Sequence, residues 1–202
     1  MTVAPHLSPQ DTIMFELYLD RATGVFEYGM GGSTDLISGR SNISTVYSVE
    51  SDATWYSRIQ KQITACPAKR AKTTLIYHEM DSTGMRWGRP GPAATEAQQR
   101  AYSDAFPRVV AQRGRALKNK IDLVFIDGRF RVACCLKCHA VINSGTLVAF
   151  DDFLNREQYG VVLFYYDIID RTTDNRMAIL RKKENGRRVP PWLIRTFELI
   201  AD

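Results

Sequence analysis

The sequence predicts an α/β fold, with a mostly parallel seven-stranded sheet, helices on both of its faces and a closing antiparallel hairpin. Apolar runs rich in Val, Ile, Leu and aromatic residues alternate with amphipathic segments along the chain, which is the order of strands and helices in a parallel sheet. One apolar run ends in a glycine-rich turn at 29–32, and another ends in the adjacent acids Asp151 and Asp152. The last two runs are split by turn-forming residues at 172–175, which predicts the hairpin.

The length and composition are those of one domain with a full core. The chain has 202 residues, of which 45% are hydrophobic. We expect a single domain over 1–202, with an N-terminal helix within 1–23 and a tail at 184–202 that packs on the body. No apolar run approaches the ~18–20 residues of a membrane span, and the N-terminus lacks the features of a signal peptide. A cytoplasmic protein with no membrane partner is expected.

The elements of the first half follow from caps, glycines and prolines. Ser8 followed by Asp11 is typical of a helix start, with an apolar stripe running to about residue 22. Asp52 can cap a helix that ends before Pro67. After the first helix we expect a strand at 24–28, a helix at 34–40, a strand at 44–49, a helix at 53–65 and a strand at 73–78. Residues 79–94 are rich in Gly and Pro and form a long loop, which usually marks a functional segment.

The second half continues the alternation. A helix is expected over 95–118 with an interruption near Pro107, because proline breaks the helical hydrogen-bond ladder. The run at 121–126 is strongly apolar and predicts a buried strand. There follow a helix at 130–142, a strand at 146–150, a helix at 157–166, the hairpin strands at 168–171 and 176–182, and a short apolar helix in the tail.

The glycine turn after the first strand indicates a nucleoside-containing ligand. Gly29 and Gly31 lack a Cβ and allow a bound cofactor to approach the backbone. Glu50 ends the next strand, where a carboxylate can accept both hydroxyl hydrogens of a ribose. Thr34 replaces the third glycine of the dinucleotide fingerprint, and Glu27 would repel a pyrophosphate. Glu27 suits a cationic ligand instead, such as a sulfonium or an α-amino group.

Acidic residues also follow other predicted strands, and the carboxyl ends of parallel strands meet at one edge of a sheet. Three of these acids, Asp127, Asp151 and Asp152, would repel one another and need a cation or shared protons. A hard divalent ion such as Mg²⁺ would meet that need. The alternative is that Arg129 and Arg131 form salt bridges to the same acids.

The pattern E-x-G-x-G at 27–31, followed by an acid at the next strand end, resembles class I S-adenosylmethionine (SAM) methyltransferases. Over nearly the whole chain the sequence is similar to small methyltransferase-like proteins of bacteria and large viruses. The shared motifs are E-Y-G-x-G-G-S-T, S-V-E-x-D, W-G-x-P and I-D-G-R-F-R-V-A-C. The resemblance implies a Rossmann-like methyltransferase fold and SAM as the cofactor.

A second resemblance concerns the acids. I-D-G at 126–128 and D-D-F at 151–153 are similar to motifs of metal-dependent sugar O-methyltransferases of macrolide biosynthesis. In that family three acids hold a divalent cation, and one of them deprotonates the acceptor hydroxyl. The resemblance implies that Asp127 is metal ligand and general base, and that Asp151 and Asp152 complete the metal site. The sequence departs from the family pattern at Ser144, where glycine is common, and at Arg129, where another acid is common.

Together these observations predict a SAM-dependent O-methyltransferase acting on a sugar hydroxyl, for example a deoxyhexose of a glycan. The candidate catalytic residues are Asp127, Arg129 and Asp151. The candidate cofactor-binding residues are Glu27, Gly29, Gly31, Ser33, Thr34, Glu50, Asp81, Trp87 and Asp127.

Two alternatives remain. The net charge of +5 suggests a nucleic-acid methyltransferase, but the chain has Asp-Gly-Arg-Phe at 127–130 where base-amino methyltransferases commonly have [DN]-P-P-[YFW], so nucleic acid is the less favoured partner. The other alternative is a non-catalytic SAM-binding module. The sequence leaves open whether the protein forms a homodimer.

Overall fold

The structure is a computed structural model that describes residues 3–184 and 186–201. In these residues seven strands form one sheet with the order β3-β2-β1-β4-β5-β7-β6. The strands are β1 (Gly24–Tyr28), β2 (Thr45–Glu50), β3 (Thr73–Tyr77), β4 (Leu123–Ile126), β5 (Leu147–Phe150), β6 (Tyr166–Arg171) and β7 (Ala178–Lys182).

The predicted fold class is confirmed. Strands β1 to β5 are paired in parallel, β7 runs antiparallel to β5, and β6 and β7 form the closing hairpin. Strand order reverses at β1, which pairs with β2 on one side and β4 on the other. In an open α/β sheet the crevice beyond the carboxyl ends of the strands at such a reversal is the usual ligand site.

Helices cover both faces of the sheet. They are α1 (Pro9–Leu19), α2 (Gly32–Gly39), α3 (Ala53–Thr64), α4 (Pro67–Lys72), α5 (Glu96–Ser103), α6 (Ala105–Arg113), α7 (Arg115–Lys118), α8 (Arg131–Val141) and α9 (Pro191–Phe197), with a 3₁₀ helix at Glu157–Phe164. Alternate side chains of β4 enter two different cores: Val124 and Ile126 pack under α8, whereas Leu123 and Phe125 pack under α1. This alternation is the period of two expected for strands.

Several elements differ from the sequence-based expectation. Helix α2 begins at Gly32 instead of 34, β4 at Leu123 instead of 121, and β7 at Ala178 instead of 176. Pro67 does not only end α3; it occupies the first turn of the additional helix α4, where its missing N–H has no cost. The helix predicted over 95–118 consists of three helices, and the first break lies at Asp104, upstream of Pro107. The segment at 157–166 is a 3₁₀ helix that ends at Phe164, and β6 begins earlier than predicted, at Tyr166.

In the tail predicted at 184–202, α9 brings Leu193 into the main core. Glu198 forms ion pairs with Arg100 at 2.9 Å and with Lys137 at 2.5 Å. Asn185 and Asp202 lie outside the described residues. In the described parts of the chain, no helix has the length and apolar character needed to cross a membrane.

Candidate active site

The turns after β1 and β4 touch each other through two glycines. Gly29 has φ +94°, and a Cβ there would lie 2.7 Å from both the Cα and the N of Gly128. A Cβ on Gly128 would lie 2.2 Å from the Tyr102 hydroxyl oxygen. Gly31 is different, because its nearest neighbour would be Ser33 Oγ at 3.7 Å. Any other residue at position 29 would therefore collide with the backbone of Gly128. Gly31, in contrast, borders open space.

Glu27 is fully buried and surrounded by hydroxyl groups. Its carboxylate accepts hydrogen bonds from Ser33 Oγ at 2.5 Å, from Thr34 Oγ1 at 2.6 Å and from Ser48 Oγ at 2.5 Å. Burial raises the pKa of Glu27 to about 7, although the three hydroxyls act in the opposite direction. The hydroxyls of Ser33 and Thr34 thus contact Glu27, and these hydrogen bonds connect the start of α2 to β1.

Sequence reasoning did not identify Ser48. It is the β2 residue paired in register with Glu27. A serine in a buried strand directly beside a buried acid is the signal that could have found it, because a buried carboxylate requires donors.

Glu50 ties the end of β2 to the glycine turn. Its carboxylate accepts backbone N–H groups from Met30 at 3.1 Å, Ser51 at 2.7 Å and Asp52 at 2.8 Å. Burial raises the pKa of Glu50 to about 7. A second buried acid therefore lies directly against the turn after β1.

The loop at 79–94 lies over Glu50 on the β3 side. A Cβ on Gly88 would lie 3.3 Å from Glu50 Oε1, so the loop backbone contacts this acid. Asp81 accepts hydrogen bonds from the Thr83 hydroxyl at 2.6 Å and the Ala93 N–H at 2.9 Å, which closes the loop on itself. A cavity of about 620 Å³ lies between this loop and the start of α3.

Trp87 lies on the outer side of this loop. Its residue is 66% exposed and has φ +63°, and its ring centroid is 4.9 Å from that of His6. The tryptophan predicted to flank the adenine thus packs against the N-terminal segment.

The N-terminal segment at 3–8 crosses the glycine turn, a contact that sequence reasoning missed. A Cβ on Gly32 would lie 2.1 Å from the backbone carbon of Ala4. Val3 packs against the small cluster of Met30, Ile59 and Ile63. Its N–H donates to Gln62 Oε1 at 3.3 Å. No periodicity or motif in 3–8 signals such a contact, since it depends on the path of the chain before α1.

The three acids predicted to form a metal site do converge, and Arg131 lies between them. Arg131 Nη2 donates to Asp127 Oδ1 at 2.9 Å, and Nη1 lies 3.3 Å from both Asp151 Oδ2 and Asp152 Oδ2. Arg131 also donates to two backbone carbonyls, from Nε to Gly128 at 2.9 Å and from Nη1 to Asp151 at 2.8 Å. Only 3% of Arg131 is exposed, so water cannot solvate its charge. These carboxylates and carbonyls balance the charge instead.

This geometry does not fit a divalent cation held by Asp127, Asp151 and Asp152. The guanidinium of Arg131 occupies the point where their carboxylates meet. Among the described residues, no group of three or more His, Cys, Asp or Glu side chains is arranged to hold a metal ion. Asp152 is further paired with Arg156 at 2.9 Å and Arg176 at 2.7 Å. For Arg131 the salt-bridge alternative is the one that the structure supports.

The protonation of the cluster follows from burial and charge. Burial and the charge of Asp127 raise the pKa of Asp151, against the charge of Arg131. Burial also raises the pKa of Asp127, against the charges of Arg131 and Arg129. The pKa of Asp152 is held below its usual range, since its arginine partners outweigh the effect of burial.

Asp127 is the most exposed of the three acids of the cluster. Its side chain is 25% exposed, whereas that of Asp151 is 3% exposed. Arg129 is half-buried and close enough to Asp127 to lower its pKa. The arrangement can accept a proton at Asp127 while Arg131 balances the charge.

No protein-family model matches the chain, and no curated protein matches it. Among solved structures it is similar to a methyltransferase-like protein from Silicibacter pomeroyi, with 23% identity over 99% of this chain and 98% of that chain and a TM-score of 0.77. An O-methyltransferase from Bacillus cereus in complex with SAH covers 89% of this chain and 84% of its own at 12% identity, with a TM-score of 0.51. A ribosomal protein L11 methylase from Lactobacillus delbrueckii subsp. bulgaricus covers 90% and 82% at 11% identity, also with a TM-score of 0.51.

These similarities concern the fold. The methyl acceptors that the neighbours' names give differ, so the acceptor of this chain does not follow from them. The resemblances to viral proteins and to sugar O-methyltransferases stay predictions. The strand order, the reversal at β1 and these neighbours together give the conclusion that the chain has the Rossmann-like fold of class I SAM-dependent methyltransferases.

Proposed function

We propose that the protein is a SAM-dependent O-methyltransferase that acts on a hydroxyl group without a divalent metal, with a carbohydrate as the first acceptor class to test. The observation that carries the proposal is the position of two buried acids, Glu27 and Glu50, against the turn after β1 in a methyltransferase fold. Buried carboxylates beside a glycine turn suit a cationic cofactor that also carries a ribose.

The proposed cofactor position follows from the turn after β1, which is closed at Gly29 by the Gly128 backbone and open at Gly31. The methionine portion of SAM is proposed to pass Gly31, where a Cβ would have no neighbour closer than 3.7 Å. Glu50 is proposed to accept a hydrogen bond from a ribose hydroxyl at Oε2, which receives one backbone donor, whereas Oε1 already receives two. The adenine ring is proposed to enter the cavity beside Asp81, with Trp87 on the same loop. Ser33 and Thr34 support the site through Glu27.

The chemistry requires a base close to the acceptor. The acceptor oxygen attacks the methyl carbon of the sulfonium, the carbon–sulfur bond breaks, and S-adenosylhomocysteine leaves with a neutral sulfur. The hydroxyl proton passes to Asp127. In-line attack needs the reacting atoms about 3–3.5 Å apart, so binding and orientation supply much of the rate enhancement. Arg129, beside Asp127, is proposed to donate hydrogen bonds to acceptor oxygens.

Asp127 also has a position suited to contact with the cofactor. It precedes Gly128, whose backbone touches Gly29 of the cofactor turn. The proton acceptor and the methyl donor are therefore held to the same pair of turns.

The decisive variant is Asp127→Asn. We expect calorimetry to give a SAM affinity that changes far less than turnover, which should fall by about 10²–10⁴-fold, the usual contribution of a general base. Asp167→Asn is the matched control, because Asp167 is an exposed acid on the hairpin with 64% of its side chain accessible. Unchanged turnover in Asp127→Asn would remove Asp127 from the mechanism. No heat on titrating SAM into the wild-type protein would end the proposed function.

The acceptor is tested with labelled SAM against nucleotide sugars, free glycans and oligonucleotides. We expect label in the carbohydrate pools. Label in oligonucleotides would favour the nucleic-acid alternative. SAM binding without transfer to any of these pools would favour a non-catalytic SAM-binding module.

A further inference from the structure

We infer that Arg131 is the built-in cation of the acid cluster, takes the place that a divalent metal would take, and positions Asp127 as the base. The positioning role rests on the proposed function; the cation role does not. The distances separate a guanidinium from a metal ion. Arg131 nitrogens lie 2.9 Å and 3.3 Å from the carboxylate oxygens of Asp127, Asp151 and Asp152. Mg²⁺ or Ca²⁺ would require oxygens at about 2.0–2.6 Å from a single centre.

Arg131 joins the ends of two strands. Through the carbonyl of Gly128 and the carboxylate of Asp127 it holds the turn after β4, and through the carbonyl and carboxylate of Asp151 it holds the turn after β5. A planar guanidinium with five N–H donors can bind several acceptors at once in a fixed geometry. A lysine would provide a point charge without this fixed, forked arrangement of N–H donors.

The backbone around the cluster is shaped to place these groups. Phe130, the residue before Arg131, has φ +54°, and Asp152 has φ +55°. A left-handed conformation is unfavourable for a bulky residue such as Phe130, and residues held in it tend to cluster at functional sites. Two of them border this cluster.

The surrounding charge also opposes a metal. Asp152 already has Arg156 and Arg176 as partners in addition to Arg131. Arg129 lies near Asp127. A divalent ion at the same point would lie within a few ångströms of several guanidinium groups, and like charges at such distances repel strongly in a site shielded from water.

The cation role is tested by titrating Mn²⁺ and recording the electron paramagnetic resonance of the bound ion. We expect the wild-type protein to bind no Mn²⁺ at this site. Arg131→Ala leaves three facing carboxylates and should bind Mn²⁺ at least ~10-fold more tightly than wild type. The matched control is Arg176→Ala, which removes a partner of Asp152 but keeps Arg131, and it should show no such gain. Tight Mn²⁺ binding by the wild-type protein would overturn the inference.

The positioning role is tested by turnover. Wild-type activity should survive EDTA. Arg131→Ala should keep SAM affinity within ~2-fold of wild type. Its turnover should fall by about 100-fold, because a misplaced reacting group costs a factor of that order. Millimolar guanidinium or Mn²⁺, added as a replacement cation, should restore part of the lost turnover. Loss of wild-type activity in EDTA, wild-type turnover in folded Arg131→Ala, or failure of both additives to restore turnover would contradict the role.

If Arg131→Ala does not fold, Arg131→Lys carries the turnover test. It keeps the charge and loses the fork, so kcat should fall while KM stays unchanged. An unchanged kcat in Arg131→Lys would overturn the positioning role. Calorimetry with SAM is run on each variant, because a protein that binds no SAM fails the proposed function and leaves the Mn²⁺ result to decide the cation role.

Discussion

Two groups of buried acids lie on opposite sides of the contact between Gly29 and Gly128, and they are stabilised in different ways. On the β2 side, Glu27 and Glu50 receive hydrogen bonds from hydroxyls and backbone N–H groups, which carry no net charge. On the β5 side, the aspartate cluster around Arg131 is stabilised by ion pairs.

The difference indicates which side depends on a ligand for its charge balance. Neutral donors leave the cost of burying a charge largely unmet, so the pKa values of Glu27 and Glu50 are both about 7. A cationic ligand would favour their ionised forms. The aspartate cluster has a cation, Arg131, in place before any ligand binds, and it holds Asp152 ionised, although burial still raises the pKa values of Asp127 and Asp151. On the proposed function, the charge of SAM would supply the missing counter-charge to Glu27 and Glu50, whereas Arg131 already supplies one to the aspartates.

The largest expected effect is a difference in the pH dependence of stability between Glu27 and Asp152, one acid from each side. The folded-state pKa of Glu27 is raised, so its ionisation opposes folding, and wild type should lose about 2–3 kcal/mol from this group between pH 5 and pH 8. Glu27→Gln removes the ionisation. Its free energy of unfolding, measured with urea, should therefore rise relative to wild type by that amount over the same range.

Asp152→Asn is the contrasting variant. A lowered pKa contributes stability above the unfolded value, and that stability is lost only as the pH falls through the folded value, below pH 5. The cost of Asp152→Asn should therefore change by much less than about 2–3 kcal/mol between pH 5 and pH 8, and the change that remains comes from Asp151, whose pKa Asp152 helps to raise. Asparagine tolerates the φ of +55° at this position. Exposed Glu157→Gln controls for the loss of one negative charge. Parallel pH profiles for Glu27→Gln and Asp152→Asn would remove the distinction between the two sides.

A smaller effect is expected at the contact that separates the two sides. In Gly128→Ala the new methyl meets the Tyr102 hydroxyl and the Gly29 backbone, so unfolding should become easier by about 1–3 kcal/mol, and SAM affinity and turnover should fall together. Gly145→Ala is the matched control, because a Cβ there has no heavy atom within 4 Å. Equal stabilities of the two variants in urea would show that the contact is not tight.

The smallest stability effect is expected for Trp87→Ala, below about 0.5 kcal/mol, because the residue is largely exposed. On the proposed function SAM affinity should nevertheless fall by roughly 5–10-fold, because stacking of the indole on the adenine contributes about 1 kcal/mol. His6→Ala removes only the ring partner and separates the two effects. An unchanged affinity in Trp87→Ala would exclude this residue from the cofactor site.

The fold and the meeting of the acids could be predicted because both follow from local patterns. Apolar runs mark the strands, and the carboxyl ends of parallel strands share one edge, so Asp127 and Asp151 had to be neighbours. The sequence did not decide whether a metal ion or an arginine lies between these acids. Arg131 reaches the cluster from the first turn of α8, and its direction depends on the left-handed φ of Phe130, which is unusual for that residue type.

Other parts of the site depend on contacts distant in sequence. Ser48 meets Glu27 through strand register, and the segment at 3–8 reaches the glycine turn through the path of the chain before α1. Trp87 has a positive φ that turns it outward, which the tryptophan itself does not signal. Helix α4 was missed because Pro67 was interpreted only as a stop, although proline is equally suited to a first helical turn.

The contact between the Gly29 and Gly128 backbones has a consequence for how a protein of this fold can diversify. Neither Gly29 nor Gly128 can gain a side chain without displacing the other turn, so these two positions are closed to variation. New acceptors would then be accommodated by a peripheral segment beside the acid cluster, the 3₁₀ helix at Glu157–Phe164, which follows the Arg156 partner of Asp152. Directed evolution of acceptor choice should concentrate mutations in that segment.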